Sequence, residues 1–251
     1  MITTTRTFGD ETLTDESRVT PAIRPLTGTA AATALMNRIY RRQRHIYDLT
    51  RRFFLLGRNR LIADLAPGPA DAVLEIGCGT GRNLILAARR YPQAQFFGID
   101  VSTHMLTSAI EAIERAGLES RVRVAHADAT AFHPRLVFGK QRFERIMISY
   151  SLSMIPGWQG VLDVALGLLA RGGRLAIVDF GRQERLPATF RALLRAWLAL
   201  FHVKPADSLE AELVSRAARA GAKLTVERPC RGYVVYAVVE ANQNRAGEGA
   251  R

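Results

Sequence analysis

Cysteine is nearly absent: Cys78 and Cys230 are the only two in 251 residues. Two cysteines cannot build a disulfide framework, so the chain is expected to work in the reducing cytoplasm. Long apolar runs are missing too. The best, Val161 to Ala170 and Trp197 to Val203, fall well short of the ~18–20 residues that cross a bilayer, which excludes an integral membrane protein. Residues 1–29 are threonine-rich and hold no signal-type apolar segment, so export is not expected. There is no close histidine pair and no CxxC, so no metal site is expected. Lysine is scarce, and nearly all of the 35 cationic side chains are arginines.

What the chain has instead is a formal net charge of +12 on an ordinary globular composition, 48% hydrophobic and 23% charged. Codon bias alone yields arginine-rich sequences. It does not yield a local stripe, and Arg38, Arg41, Arg42, Arg44, Arg51, Arg52, Arg58 and Arg60 crowd one segment whose only acid is Asp48. An anionic neighbour is one reading of that stripe and a solvated helix face is the other.

Residues 1–29 read as a flexible arm and 30–66 as a helical cap, with Leu35, Ile39, Ile46, Leu49, Phe53, Leu56 and Leu61 at helical spacing. After Ala66-Pro67-Gly68-Pro69 the period changes. Strands are predicted at Ala72–Ile76, Gln95–Ile99, Arg121–His126, Phe143–Ser149, Arg174–Phe180, Lys223–Arg228 and Tyr233–Val239, with helices starting near Arg82, Thr103, Gln159, Leu186 and Ser208. This βαβ succession predicts an α/β domain over 67–240: a seven-stranded, mostly parallel Rossmann-like sheet with helices on both faces. The short Pro229-Cys230-Arg231-Gly232 link predicts antiparallel pairing of the last two strands, giving an antiparallel edge strand, and 241–251 reads as a tail.

The most informative stretch is Val73-Leu74-Glu75-Ile76-Gly77-Cys78-Gly79-Thr80-Gly81-Arg82-Asn83, which joins a buried strand to a helix. Three glycines permit a sharp turn and close approach of a ligand, and the helix start offers free N–H groups. The spacing GxGxG is one residue tighter than the pyrophosphate fingerprint, and Glu75 would repel a pyrophosphate. Cys78 reads as a small turn residue. The second strand ends in Asp100, placed to hold the two hydroxyls of a ribose, and Asp128 follows the third.

In this order of loop, acidic strand end and third-strand acid, Ala72 to Phe180 resembles the class I S-adenosylmethionine-dependent methyltransferases. The resemblance implies that S-adenosylmethionine is the cofactor, with Gly77, Gly79 and Gly81 around its methionine part. Asp100 would hold the ribose, Asp128 and Ala129 would flank the adenine, and Met105 would pack beside the adenosine. Tyr47, Arg58, Glu75, Cys78, Thr80, Asn83, Val101, Ser149 and Tyr150 complete the implied donor site.

The acceptor has to be read from the segments outside that core. Tyr40 to Arg58 and Trp197 to Pro205 closely resemble the N-terminal signature and lid of the bacterial methyltransferases that complete the betaine lipid diacylglyceryl-N,N,N-trimethylhomoserine. The implied activity is three methyl transfers to the amine of diacylglyceryl-homoserine. Such an amine titrates near ~8, so it needs alignment in a dry pocket more than a strong base; alignment supplies roughly 7–11 kcal/mol. Ring faces attract the sulfonium and the product ammonium, which makes Tyr47 and Tyr150 catalytic candidates and Tyr40 a substrate-binding one, unless they are packing residues. Arg51 suits a bidentate acceptor carboxylate. His45 and His202 titrate close enough to neutrality to assist deprotonation.

Leu186 to Val203 sets Phe190, Leu193, Leu194, Trp197, Leu198, Leu200 and Phe201 beside Arg185, Arg191 and Arg195. This is the composition of an interfacial helix, with Trp197 and Phe201 meeting a lipid substrate; it equally fits a helix covering the sheet. The first reading makes the protein peripheral at the inner face of an anionic membrane. Phosphatidylethanolamine N-methylation and quinone methylation are competing enzymatic readings. A basic RNA-binding module is a third, but no RNA-binding signature accompanies the charge and no nucleic-acid partner is expected. The sequence assigns no oligomeric state.

Overall fold

Strands that carry apolar residues on both faces must be covered on both faces. The sequence of β1 (Ala72–Ile76) meets that condition, and all five of its residues are buried. The computed structural model describes residues 55–200 and 203–243. In chain order these form α1 (Arg58–Leu65), β1, α2 (Arg82–Arg90), β2 (Gln95–Asp100), α3 (Thr103–Arg115), β3 (Val122–His126), α4 (Pro134–Phe138) and β4 (Phe143–Ser149). After a 3-10 turn at Leu152–Met154 come α5 (Trp158–Gly167), β5 (Leu169–Phe180), α6 (Ala188–Leu200), α7 (Leu209–Ala220), β6 (Lys223–Glu227) and β7 (Val234–Glu240).

The seven strands form one sheet in the order β3-β2-β1-β4-β5-β7-β6. β1 is parallel to both β2 and β4, and β7 runs antiparallel to β5 and β6. The predicted antiparallel pair is present, with one refinement: the reversed strand β7 lies one place in from the edge, and β6 takes the edge. The hydrophobic pattern explains this, since β7 is buried along most of its length while β6 alternates exposed and half-buried residues. A single sequence shows the reversal but not which strand reaches across. β5 also begins earlier than predicted, at Leu169, with an irregularity in its pairing to β4 at Phe143/Arg145. The short α4 escaped the periodicity argument because five residues carry no period. Its signals are local, Pro134 in the first turn and Gly139 in the left-handed cap.

One core lies on each face. Leu61 and Leu65 of α1, Leu84 and Ala87 of α2, Leu106 and Ile113 of α3, and Leu194 and Leu198 of α6 fill one. Phe138 of α4, Val161, Leu162 and Ala165 of α5, and Leu209 and Leu213 of α7 fill the other.

The placement of α1 matters for the site. Its last carbonyls are capped by arginines from two strands: Arg145 Nε of β4 donates to the Leu65 carbonyl at 2.7 Å and Arg174 Nη1 of β5 to that of Asp64 at 2.6 Å. Tyr91 donates from the α2 side to the Ala63 carbonyl at 2.8 Å. These bonds satisfy groups a helix end leaves open. They also hold α1 against the sheet, where Leu61 and Leu65 join its core. At its other end Gly57 sits 3.1 Å from Val178 by the measure of an added Cβ, which brings the chain entering α1 to the carboxyl end of β5.

Candidate functional site

The strand order reverses direction between β1 and β4, and in parallel sheets ligands bind outside the carboxyl ends of the strands at such a point. The glycine loop lies there. Gly77, Gly79 and Gly81 take positive φ angles of 73°, 53° and 72°. Gly77 has a second reason to be glycine, because an added Cβ would meet Ser151 Cβ at 2.5 Å. Ser151 uses that closeness to donate from Oγ to the Ile76 carbonyl at 3.1 Å, tying the loop after β4 to the end of β1.

Asp100 couples the loop to β2. Its Oδ2 accepts the Gly79 N–H at 2.8 Å and its Oδ1 that of Ser102 at 2.9 Å. Ser102 in turn caps α3 by accepting the Met105 N–H at 3.3 Å. A carboxylate offers about four lone-pair sites, so one held by two N–H groups still has acceptors for a diol. Glu75, buried at the end of β1, accepts from Asn83 Nδ2 at 2.7 Å, while Asn83 Oδ1 is buried with no hydrogen-bond partner among the described residues. α2 starts with no side-chain cap. An uncapped helix start beside an idle buried amide oxygen fits the carboxylate and ammonium of a methionine moiety.

Glu75, Gly77, Cys78, Gly79, Thr80, Gly81 and Asn83 thus follow one another from the end of β1 into α2, Asp100 and Val101 stand at the end of the neighbouring β2 with Met105 in the first turn of α3, and Ser149 and Tyr150 stand at the end of β4 on the other side of β1. Cys78 is buried against Gly98, where an added Cβ would come within 2.9 Å of its sulfur. Burial, with Asp100 and Glu75 nearby, pushes its thiol well up, so it stays a neutral packing residue. Asp128 and Ala129 follow β3 at the same sheet end, with Asp128 Oδ1 accepting from the Thr130 N–H and hydroxyl at 2.8 and 2.7 Å.

Tyr150 departs from expectation. Its hydroxyl donates to the Leu56 carbonyl at 2.6 Å, its ring packs edge-on to Phe180 at 4.8 Å, and its φ is +54°. Burial raises the phenol's affinity for its proton, and the charge of Asp179 adds to the effect. Tyr150 therefore pins the chain entering α1 over β4, where the sequence had its ring facing the reacting methyl. Arg58 lies at that entrance, its Nε donating to the Leu55 carbonyl at 3.3 Å. Trp197 is half-buried against the α6-side core and does not form the outer face of its helix. The candidates Tyr40, His45, Tyr47, Arg51, Phe201 and His202 lie outside the described residues.

Two polar residues went unnoticed in the sequence. Asp179 is fully buried at the end of β5. Its Oδ1 accepts the Phe180 N–H at 2.7 Å and its Oδ2 the Ser153 N–H at 3.3 Å. Gln183, in the link to α6, is equally buried. An acid closing an apolar strand was a readable signal, the same one that picked out Glu75.

Residues 68–225 match the family described as "Methyltransferase domain". The chain belongs to that family. It is similar to the demethylmenaquinone methyltransferase of Bacteroides fragilis, 26% identical over 130 residues, which cover 52% of this chain and 51% of that protein. The phosphatidylethanolamine N-methyltransferase of Cereibacter sphaeroides is 31% identical over 125 residues, covering 49% and 58%. The chain spans about half the length of these curated relatives. A solved structure of geranyl diphosphate methyltransferase in complex with SAM shares the fold, with TM-score 0.57, 17% identity and coverage of 74% of this chain and 84% of that one. The methyltransferase domain is of the S-adenosylmethionine-dependent kind, and its glycine loop and Asp100 fit that donor.

If Asp100 holds the ribose, Asp100→Ala weakens donor binding by about tenfold or more, the worth of a charge-assisted hydrogen bond; calorimetry that finds the affinity unchanged removes the assignment. A second prediction concerns Asp179. Burial pushes its carboxyl up to about 6 against the weaker pull of the hydrogen bonds it accepts. The folded state therefore holds the proton more tightly than the unfolded chain, where the group titrates near ~3.9. This contribution to stability is complete below about pH 4 and is lost as pH rises towards about 6. Asp179→Asn removes it, so the Tm difference, variant minus wild type, climbs across that interval. Parallel Tm–pH curves would show an ordinary carboxyl.

Proposed function

We propose that the protein is an N-methyltransferase acting on a lipid amine, carrying three methyl groups to diacylglyceryl-homoserine and so completing a betaine lipid. The observation that carries the lipid part is the outer face of α6. Leu194 and Leu198 are buried, while Leu193 and Leu200 on the far side of the helix and Phe190 in its first turn are 69%, 66% and 54% exposed. Three large apolar side chains on one short helix, with Arg191 among them and Arg185 just before, match a helix that lies in a headgroup layer. On this reading the protein is peripheral at the inner face of the membrane. No helix among the described residues is long and apolar enough to cross it.

A bound S-adenosylmethionine supplies a methyl group activated by its sulfonium. The chain's residues do the rest: Gly77, Gly79 and Gly81 approach the methionine part, Asp100 receives the ribose, and Asp128, Ala129, Val101 and Met105 surround the adenosine. In each transfer the amine's lone pair forms the N–C bond as the C–S bond breaks and its electrons pass to sulfur. One proton goes to solvent per transfer, because the nitrogen must be neutral to attack. A neutral amine is already nucleophilic, so alignment and exclusion of water suffice. The aromatic and cationic residues expected around the acceptor, Tyr40, Tyr47, Arg51, His45 and His202, keep the roles read from the sequence.

The relative that methylates phosphatidylethanolamine favours a second reading, since that lipid offers the same amine and lacks only the acceptor carboxylate. Labelled S-adenosylmethionine supplied with diacylglyceryl-homoserine, phosphatidylethanolamine and demethylmenaquinone in parallel decides among them. Mass spectrometry is expected to find one, two and three methyl groups on the homoserine lipid, and label confined to either other acceptor rejects the proposal. Replacing Phe190 and Leu193 together with serine is expected to lower partitioning onto anionic vesicles severalfold at unchanged Tm, because neither side chain is in the core. Equal partitioning would dismiss α6 as the anchor.

A further inference from the structure

The link between β5 and α6 contains a side chain that the fold itself does not use. Gln183 is 0% exposed, and neither its Oε1 nor its Nε2 has a hydrogen-bond partner among the described residues. Its backbone is fully engaged: the N–H donates to the Gly232 carbonyl at 2.8 Å and the carbonyl accepts the Leu186 N–H at 3.1 Å. The residue also takes φ +61°, a conformation uncommon for any residue but glycine. Buried polar groups are almost always paired, and an exception calls for a reason.

A second idle polar group lies at the carboxyl end of β4, where Ser149 Oγ is likewise buried and has no hydrogen-bond partner among the described residues. Alternation along β4 puts Ser149 on the face of Met147, which is the face α6 covers, and the sheet register sets it beside Val178. Tyr150, Phe180 and Tyr233 belong to the same core, with Phe180 and Tyr233 edge-on at 5.8 Å. Asp179 belongs to the other face, and its oxygens are taken by Phe180 and Ser153. The idle Ser149 hydroxyl therefore lies on the α6 side of the sheet, and the backbone of Gln183 is held at Gly232, next to Tyr233 of the same core, while the Asp179 carboxylate is turned to the other face.

We propose that Gln183 recognises the acceptor: Oε1 accepts an N–H of the acceptor's amine and Nε2 donates to an oxygen of the same headgroup. The amine in this assignment rests on the N-methylation reading above. The chemistry favours a carboxamide over a carboxylate. A carboxylate would stabilise the ammonium form strongly and withhold the lone pair, whereas a neutral amide oxygen orients the N–H and raises the amine's affinity for its proton far less. Oε1 can hold the nitrogen while it keeps an N–H, which covers the primary and secondary acceptors of the first two transfers; the neutral tertiary amine of the third has none, and there only the Nε2 contact to the headgroup oxygen remains.

Gln183→Met in the full chain tests this, because methionine has nearly the same length and no hydrogen-bonding demand. The expected result is a Tm equal to or above wild type, an unchanged Kd for S-adenosylmethionine, and kcat/KM for the lipid acceptor lowered about tenfold or more. A structural amide would give the reverse pattern, a lower Tm with acceptor kcat/KM following the folded fraction, and that outcome overturns the proposal. So does acceptor kcat/KM within twofold of wild type. Gln183→Glu gives an independent readout: the new carboxylate is expected to move the alkaline-rising limb of the kcat profile to higher pH, and an unmoved limb counts against contact with the amine. Failure of the N-methylation reading is distinguishable, since wild type then methylates only a non-amine acceptor. In that case the amine assignment falls with the reading, and Gln183→Met assayed on that acceptor decides whether the residue recognises the acceptor at all.

Discussion

Carboxylates at the ends of buried parallel strands impose a constraint that organises this molecule. A carboxylate in a water-poor position must accept hydrogen bonds or lose its charge, and here the donors are the loops that follow the strands. Asp100 is held by Gly79 and Ser102, Glu75 by Asn83, and Asp179 by Phe180 and Ser153. Each pairing ties one strand end to the segment that builds the site. The same bonds that meet the electrostatic cost therefore fix the glycine loop, the cap of α3 and the turn after β4. For Asp179 burial outweighs the N–H groups aimed at it, and its carboxyl stays raised to about 6.

The charge balance takes on a different meaning in the folded chain. Arg145 and Arg174 cap the carbonyls at the end of α1, and Arg216 bridges α5 and α7 through Asp163 at 2.8 Å and through Glu212. Arg60, counted in the basic stripe, is bound bidentately by Glu227 at 2.6 and 2.7 Å and stacks over Tyr236 at 4.4 Å. The planar, forked guanidinium suits these tasks better than a lysine ammonium. A net charge of +12 is thus not by itself the footprint of an anionic partner. The membrane proposal stands on the exposed apolar face of α6 and draws on arginine only locally.

The strands were legible because β1, β2 and β4 are apolar along both faces and bounded by glycine or acid, so period and punctuation agreed. Their parallel run up to β5 followed from the βαβ rhythm, but their order across the sheet did not. Beyond that point the pattern of β6 and β7 shows a reversal, but the exchange of edge and inner positions depends on which strand finds cover. The donor loop was legible because its residues are contiguous. The grouping of Tyr150 and Tyr233 around Phe180 was not, because they come from separate segments whose meeting is a tertiary fact. Tyr150 shows the risk: an aromatic residue after β4 reads as a pocket wall, and its hydroxyl instead holds the backbone of Leu56.

α6 unites the two readings that its sequence left open. With Leu194 and Leu198 buried and Phe190, Leu193 and Leu200 outward, it covers the sheet and presents apolar surface at once. An enzyme whose acceptor stays in a bilayer needs both properties in one element, because the headgroup must pass from the interface into a dry cleft without the lipid leaving the membrane. The segment that leads from β5 into this helix carries Gln183, so a polar residue inside and an apolar face outside are separated by only a few residues of chain. On the proposed reading that arrangement divides the work by solvent: the apolar face would answer to hydrophobic transfer, and the amide to the geometry of a single N–H. The cost of leaving an amide unpaired in the folded protein is a cost of stability, of the kind proteins retain where a ligand completes the hydrogen bonds.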